Sequence, residues 1–300
     1  MERLRIRHLT RYSYAREVEF NRHRLLIRPR EGHDLRIEEF ALSITPDHQV
    51  TWVRDVFGNS VAWIDFAAAA ATLEFESEVT IQRFTPFPAR TLHDPVRVPY
   101  PVVYDPLETA VVASYIATPY VSDASAVQAW LQWALVVDAA DTEGTVLALC
   151  RLVHERIKYL RRDEKGVQTP AQTLERGSGS CRDMATLMME ALRQLQIGAR
   201  FASGYLHGTA SLAGRASTHA WTEAYLPGLG WRGFDPTIGG AISLRHVVTG
   251  VSNHPRGVMP VSGTYKGSRA DFRELSVRVS TEELPCAASG DSPDRPIADR

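Results

Sequence analysis

The sequence predicts an α+β chain, with an N-terminal antiparallel β-sandwich-like region over residues 1–98 and a mixed α+β core over residues 99–280. Three observations carry this reading. Between Leu4 and Ile81 apolar side chains recur with period two, the mark of half-buried strands. Beyond Pro106 the period becomes 3.6, the mark of amphipathic helices. Between the two regimes Pro86, Pro88, Pro95, Pro99, Pro101 and Pro106 form a stretch that reads as a linker or an irregular wrap.

In the front half, Leu4, Ile6 and His8 alternate with Arg5 and Arg7, and Leu73 and Phe75 alternate with Glu74 and Glu76. HRLLIRP, LRIEEFALSIT, QVTWVRD and SVAWIDF lie between them, broken by turn clusters at Pro29 to Asp34 and at Phe57-Gly58-Asn59. About six closely spaced strands suit an antiparallel sandwich. In the second half, Ser125 to Val137 and Thr145 to Leu160 place aliphatics three and four apart and read as helices. Pro170 to Arg176 reads as a short helical turn entered at proline. Ser180 to Gln196 is the clearest helix, with Met184, Leu187, Met188, Ala191, Leu192 and Leu195 on one stripe and Gly198 just past its end. Strands are expected at Ala199 to Leu206, Ser217 to Leu226 and Trp231 to Phe234, with one more at Phe272 to Val279. The last 20 residues, 281–300, rich in Ser, Asp and Pro, read as a disordered tail.

Composition bounds the function classes. A chain of 300 residues with 44% hydrophobic and 23% charged residues can bury a large core without a disulfide or metal staple. Thirty-four basic residues against 35 acidic ones leave a formal charge of -1, so no overall electrostatic footprint points to nucleic acid or an anionic membrane. Cys150, Cys181 and Cys286 form no CxxC pair, which favours a reducing compartment. The opening MERLRIRHLT lacks the apolar stretch of a secretory signal, and no segment approaches the roughly 20 apolar residues of a membrane span, so a cytoplasmic location is expected.

The chemistry concentrates in GSGSCRDMATLMMEALRQ. Ser180 and Asp183 have capping-box spacing, which makes Ser180 the N-cap and Cys181 the first helical residue. There the unpaired N–H groups and the helix dipole favour a thiolate, and Gly177 and Gly179 let the backbone approach a substrate. The Cys181 N–H is suited to an oxyanion hole. Three residues before Met184, the sulfur is expected to face the adjoining sheet. A thiolate needs a base and the base an orienting group, and STHAWTEAYLPGLGWRGFDPT offers His219 and Asp235 on successive strands. If Tyr225 opposes Trp231 across an odd loop from Leu226 to Gly230, Asp235 falls opposite Trp221 and shares a face with His219; an even loop separates them. The odd register is the expected one. Cys150, in VLALCRLV, reads as core packing, and Cys286 as a free surface thiol.

TPAQTLERGSGSCRDMATLMMEALR, ARFASGYL and THAWTEAYLPGLGWRGFDPT together resemble the transglutaminase-like superfamily. The opening HLTRYSYAREVEFNRHRLLIRPR resembles the N-terminal β region of its bacterial two-part members, and after His246 GVSNHPRGVMPVSGTYKG departs from their pattern, in which an aspartate-rich stretch precedes the proline. The resemblance implies a papain-like core with a triad of Cys181, His219 and Asp235, acting on peptide or glutamine-type amides. Peptidase or amidase activity is the favoured expectation, protein-glutamine amine transfer and a non-catalytic scaffold the alternatives. Gly179, Ser180, Tyr205 and Trp221 are expected beside the substrate, Gln168 or Tyr205 as a second oxyanion donor, and the loop from His207 to Ala216 as a mobile lip. The expected partner is a peptide or protein substrate. Neither cofactor nor metal is expected: GSGS lacks the G-K-[ST] of a phosphate loop, no closed His/Cys ligand set occurs, and no acidic loop suits calcium.

Overall fold

The computed structural model describes residues 2–84, 97–162, 166–207 and 217–285. The period-two segments form β1 (Glu2–Phe20), β2 (His23–Leu25), β3 (Leu35–Thr45), β4 (His48–Arg54), β5 (Ser60–Phe66) and β6 (Ala70–Arg83). Strands β1, β6 and β3 lie side by side in one sheet, and β2, β5 and β4 in another. Val18, Leu25, Ala62, Ile64, Leu73 and Phe75 bury against one another between the two. That shared apolar layer makes the region a sandwich, as the alternation predicts.

Residues 261–284 return to these sheets. β14 (Val261–Ser262) pairs with β2, whereas β15 (Tyr265–Lys266) and β16 (Phe272–Leu284) pair with β1. Strands β7 to β13, between Lys158 and Ser252, belong to the core. The sequence grouped Phe272 to Val279 with the core and 281–300 with a tail; instead the strand runs on to Leu284 and bonds to β1 from Tyr14↔Phe272 to Arg3↔Leu284. The cause is that β1, paired with β6 on one side, presents an open edge on the other, which β16 fills. Residues 286–300, including Cys286, lie outside the described residues.

The core holds α1 (Pro106–Ile116), α2 (Ala124–Ala134), α3 (Thr142–Arg156), α4 (Pro170–Arg176) and α5 (Cys181–Gln194). Its sheet is built from β9 (Ala199–Leu206), β10 (Ser217–Leu226), β11 (Gly230–Asp235), β12 (Gly240–Ala241) and β13 (His246–Ser252), in the order β12-β11-β10-β9-β13. The two-residue strands β7 (Lys158–Tyr159) and β8 (Ser178–Gly179) pair in parallel. Helix α1 was not expected, because PLETAVVASYI spreads its apolar residues around the helix and buries only Val112. Asp105 nevertheless caps it, accepting the Leu107 N–H at 2.8 Å, with Pro106 at the first position. Helix α5 is buried on every side from Asp183 to Arg193. Two of its buried charges pair with each other, Arg193 Nη1 donating to Glu190 Oε1 at 2.6 Å.

Sandwich and core share a seam in which Tyr205 and Val247 pack with Leu4, Ile6, Val79 and Ile81. Tyr205 Oη donates to the Ile27 carbonyl at 3.1 Å, so it must accept from His8 Nδ1 at 3.0 Å, leaving His8 Nε2 to accept from Thr10 Oγ1 at 3.0 Å. Both ring nitrogens are satisfied by the neutral form, and burial pushes the His8 pKa down to about 4. An unfolded histidine titrates near 6.5, so the unfolded chain binds a proton that the folded chain refuses; this contribution is full above that pH and falls away on acidification towards 4. Between pH 7 and pH 5 the unfolding free energy is expected to lose about 2 kcal/mol through His8 alone. Urea titrations at the two pH values test it: the loss should shrink by that amount in His8→Gln, and an equal loss in both proteins rejects the assignment.

Candidate active site

The turn that carries Cys181 is fixed from below. Gly177, at φ +58°, ends α4 in the left-handed region, and the Leu160 N–H donates to the Gly179 carbonyl at 2.8 Å. At Gly179 a Cβ would lie 2.7 Å from the Asp183 Cβ, so only glycine fits. The fully buried Asp183 carboxylate accepts from the Ser180 N–H and hydroxyl, both at 2.8 Å, from the Gln168 N–H at 2.7 Å, and from Arg162 Nη1 at 2.9 Å. Cys181 therefore opens α5 as its first residue, half-buried, at the positive end of the helix dipole.

Tyr225 opposes Trp231 and Thr222 opposes Phe234, the register expected from the sequence. Pairing continues to Leu226↔Gly230, so the turn is tighter than counted but keeps its parity. His219 Nε2 consequently lies 2.8 Å from Asp235 Oδ2, both groups buried. Cys181 and His219 line the same cavity, and with Nε2 committed to Asp235, Nδ1 is the ring nitrogen left to serve the sulfur. Burial lowers the His219 pKa, but negative charge at Cys181, the hydrogen bonds to Asp235 and Cys181, and the Asp235 charge outweigh it and raise it to about 10. Burial opposes ionisation of Asp235, yet bonds from His219 and His246, the His219 charge and the Thr237 bond hold it well below the usual carboxylate range. Thr237 N–H and Oγ1 donate to Asp235 Oδ1 at 2.9 and 2.8 Å.

The sequence reading missed His246. At the start of β13 its Nδ1 accepts from the Ser243 N–H at 3.2 Å, which leaves Nε2–H to donate to Asp235 Oδ2 at 3.2 Å. Asp235 thus accepts from two imidazoles. The local signal was faint: a histidine heading VVTGVS, on a strand whose neighbour β9 is over 30 residues earlier. His219, Asp235 and His246 also offer three possible metal-ligand atoms within 4.8 Å of one another, and hydrogen bonds among the three already occupy those atoms.

The other expected residues are distributed differently. Trp221 is buried, stacked beside His219 at 6.4 Å between ring centres and edge-on to His246 at 5.2 Å, so it walls the imidazoles and is not a lining residue of the cleft. Tyr205, expected beside the substrate, spends its hydroxyl on Ile27 and His8 in the seam, because its position on β9 turns it towards the sandwich. Gln168 accepts from Thr173 Oγ1 at 3.1 Å and, with Gly179, borders a separate cavity among Arg161, Arg162 and Arg176. Ser180 acts as the helix cap through Asp183. Cys150 is buried in the core, where burial and then the Asp235 charge push its thiol up to about 12. Of the proposed lip, His207 to Ala216, residues 208–216 lie outside the described residues. Cys181, Arg182, Ser203, Thr218 and His219 line one side of a cavity of about 210 Å³.

A cysteine opening a buried helix, packed on a sheet that brings up histidine and aspartate from adjacent strands, behind a β-sandwich, defines a papain-like core of the two-part transglutaminase-like class. The family model of the bacterial transglutaminase-like N-terminal region matches residues 4–82, and that of the transglutaminase-like superfamily matches residues 131–236, together more than half of the chain. The chain belongs to the transglutaminase-like superfamily, in its bacterial two-part form. It is 28% identical over 139 residues to an uncharacterized protein of Mycobacterium leprae, a match to 45% of this chain that spans about half (49%) of that relative's length. An uncharacterized protein of Mycobacterium tuberculosis is 25% identical over 297 residues, 92% of each chain. Among solved structures, that of a candidate cysteine protease from Cytophaga hutchinsonii aligns with 98% of this chain and 94% of its own at a TM-score of 0.69 and 16% identity, a likeness of fold.

Proposed function

We propose that the chain hydrolyses peptide or glutamine-type amides through an acyl-enzyme on Cys181. The observation that supports this reading is that the His219 imidazole, bonded to the Asp235 carboxylate, lines the same cavity as the Cys181 thiol. The thiolate attacks the amide carbon, the Cys181 N–H at the helix start faces the developing oxyanion, and His219 gives its proton to the departing amine as the C–N bond breaks. Water then attacks the thioester, His219 takes its proton, and the C–S bond breaks to release acid and thiolate. Asp235 fixes the tautomer and stabilises the imidazolium. The description of the Cytophaga hutchinsonii relative as a candidate cysteine protease agrees with this chemistry.

Alkylation tests it without a known substrate. At pH 6 an ordinary thiol near pKa 8.5 is well under about 1% thiolate. Cys181 is expected to react with iodoacetamide on the order of 100-fold faster than N-acetylcysteine there, and His219→Ala should remove most of that advantage. Equal rates for Cys181 and N-acetylcysteine reject the triad. With a glutamine-containing casein, released ammonia or peptide fragments support hydrolysis, whereas incorporation of a fluorescent primary amine reassigns the acceptor.

A further inference from the structure

Resting on that reading, we infer that the sandwich supplies the pocket for an apolar side chain next to the scissile amide. Besides Cys181 and His219, the lining of the 210 Å³ cavity includes a wall that is a cross-strand ladder of the front sheet. Tyr12 opposes Leu275 and Thr10 opposes Val277 in the β1–β16 register, and all four residues line the cavity. Leu275 and Val277 are 47% and 48% exposed, and Met259, on the same cavity, is 38% exposed. Half-exposed aliphatic side chains facing a nucleophile leave apolar surface that a substrate side chain would remove from water. Among the described lining residues there is no carboxylate to hold a substrate ammonium. Among the described lining residues the one lysine- or arginine-type cation, Arg182, is turned to the Pro255 carbonyl and lies 5.0 Å over the Phe201 ring. Leucine-like or phenylalanine-like side chains fit this wall; lysine does not. The C-terminal strand β16 returns to the front sheet and thereby completes a substrate surface built from both ends of the chain.

N-chloroacetyl amino-acid amides read this directly, because the Cys181 sulfur displaces chloride from the CH2 carbon, one C–S bond forming as one C–Cl bond breaks, while the amino-acid side chain probes the wall. The leucine and phenylalanine amides are expected to label Cys181 at least about tenfold faster than the glycine and lysine amides. In Val277→Asp the leucine-to-glycine rate ratio should fall towards one; Leu275→Ala, at a half-exposed position, gives a milder version should the first variant fail to fold. A ratio near one in the unmodified protein, or a ratio that survives both variants, overturns the proposal. Failure of the triad reading has its own signature: His219→Ala would leave the iodoacetamide rate unchanged, while the side-chain preference is still measured on the same sulfur.

Discussion

Asp235→Asn is expected to lower kcat/KM for amide turnover by about 10³- to 10⁴-fold in a protein that still folds. Oδ2 of Asp235 accepts from His219 Nε2 and His246 Nε2, and Oδ1 accepts from the Thr237 N–H and hydroxyl. Every neighbour is therefore a donor, and a carboxamide has only one acceptor oxygen to offer. With its NH2 towards Thr237 it meets a backbone N–H that has no alternative acceptor geometry. With its NH2 towards the histidines, His219 must turn Nε2 into an acceptor and carry its proton on Nδ1, the nitrogen that faces Cys181. A ring in that tautomer cannot take the thiol proton. The substitution also removes the charge that helps raise the His219 pKa to about 10, so the alkaline limb of the kcat/KM profile, expected near pH 10 in the unmodified protein, should move down towards an ordinary histidine value. Nitrogen chemical shifts of His219 would report the tautomer. Turnover within about tenfold of the unmodified protein would refute the orienting role.

The site was more legible in the sequence than the frame around it, and the reason is locality. The Cys181 turn is written in one stretch, because glycine at 177 and 179, serine at 180 and aspartate at 183 are spaced for a cap. The facing of His219 and Asp235 followed from strand parity across a single hairpin, which two short strands and one turn determine. His246 escaped because its partner lies across β9 and β10 in the sheet order, a relation set by the sheet and not by any spacing in the chain. β16 was legible as a strand and illegible as a partner of β1 for the same reason. Tyr205 shows the remaining difficulty: its position in the chain put it beside the substrate, but it pairs with Thr218 and not with His219, and what covers its face depends on where the sandwich docks.

Asp183→Ala is expected to destabilise the core by about 3–5 kcal/mol, and to do so by unmaking the turn that holds the nucleophile. The carboxylate is fully buried and gathers four donors: Arg162 Nη1, the Gln168 and Ser180 N–H groups, and the Ser180 hydroxyl. Arg162 is itself largely buried, at 16% side-chain exposure, so truncation removes its ion pair with Asp183 and leaves the Gln168 and Ser180 N–H groups without this acceptor. Removing one member of such a buried network costs far more than the contacts are worth against an apolar alternative, because buried donors that lose their acceptor keep their desolvation penalty. Alanine at 183 also withdraws the tie from Ser180 to the third position of α5, so the first turn that presents Cys181 frays. Two measurements should therefore move together: the urea midpoint falls, and the selective alkylation of Cys181 declines under conditions where the protein is still mostly folded. Asp183→Asn, which keeps one acceptor oxygen, should recover part of both. A loss of stability under about 1 kcal/mol, or a fall in stability with Cys181 reactivity intact, would show that the turn is held by something other than this carboxylate.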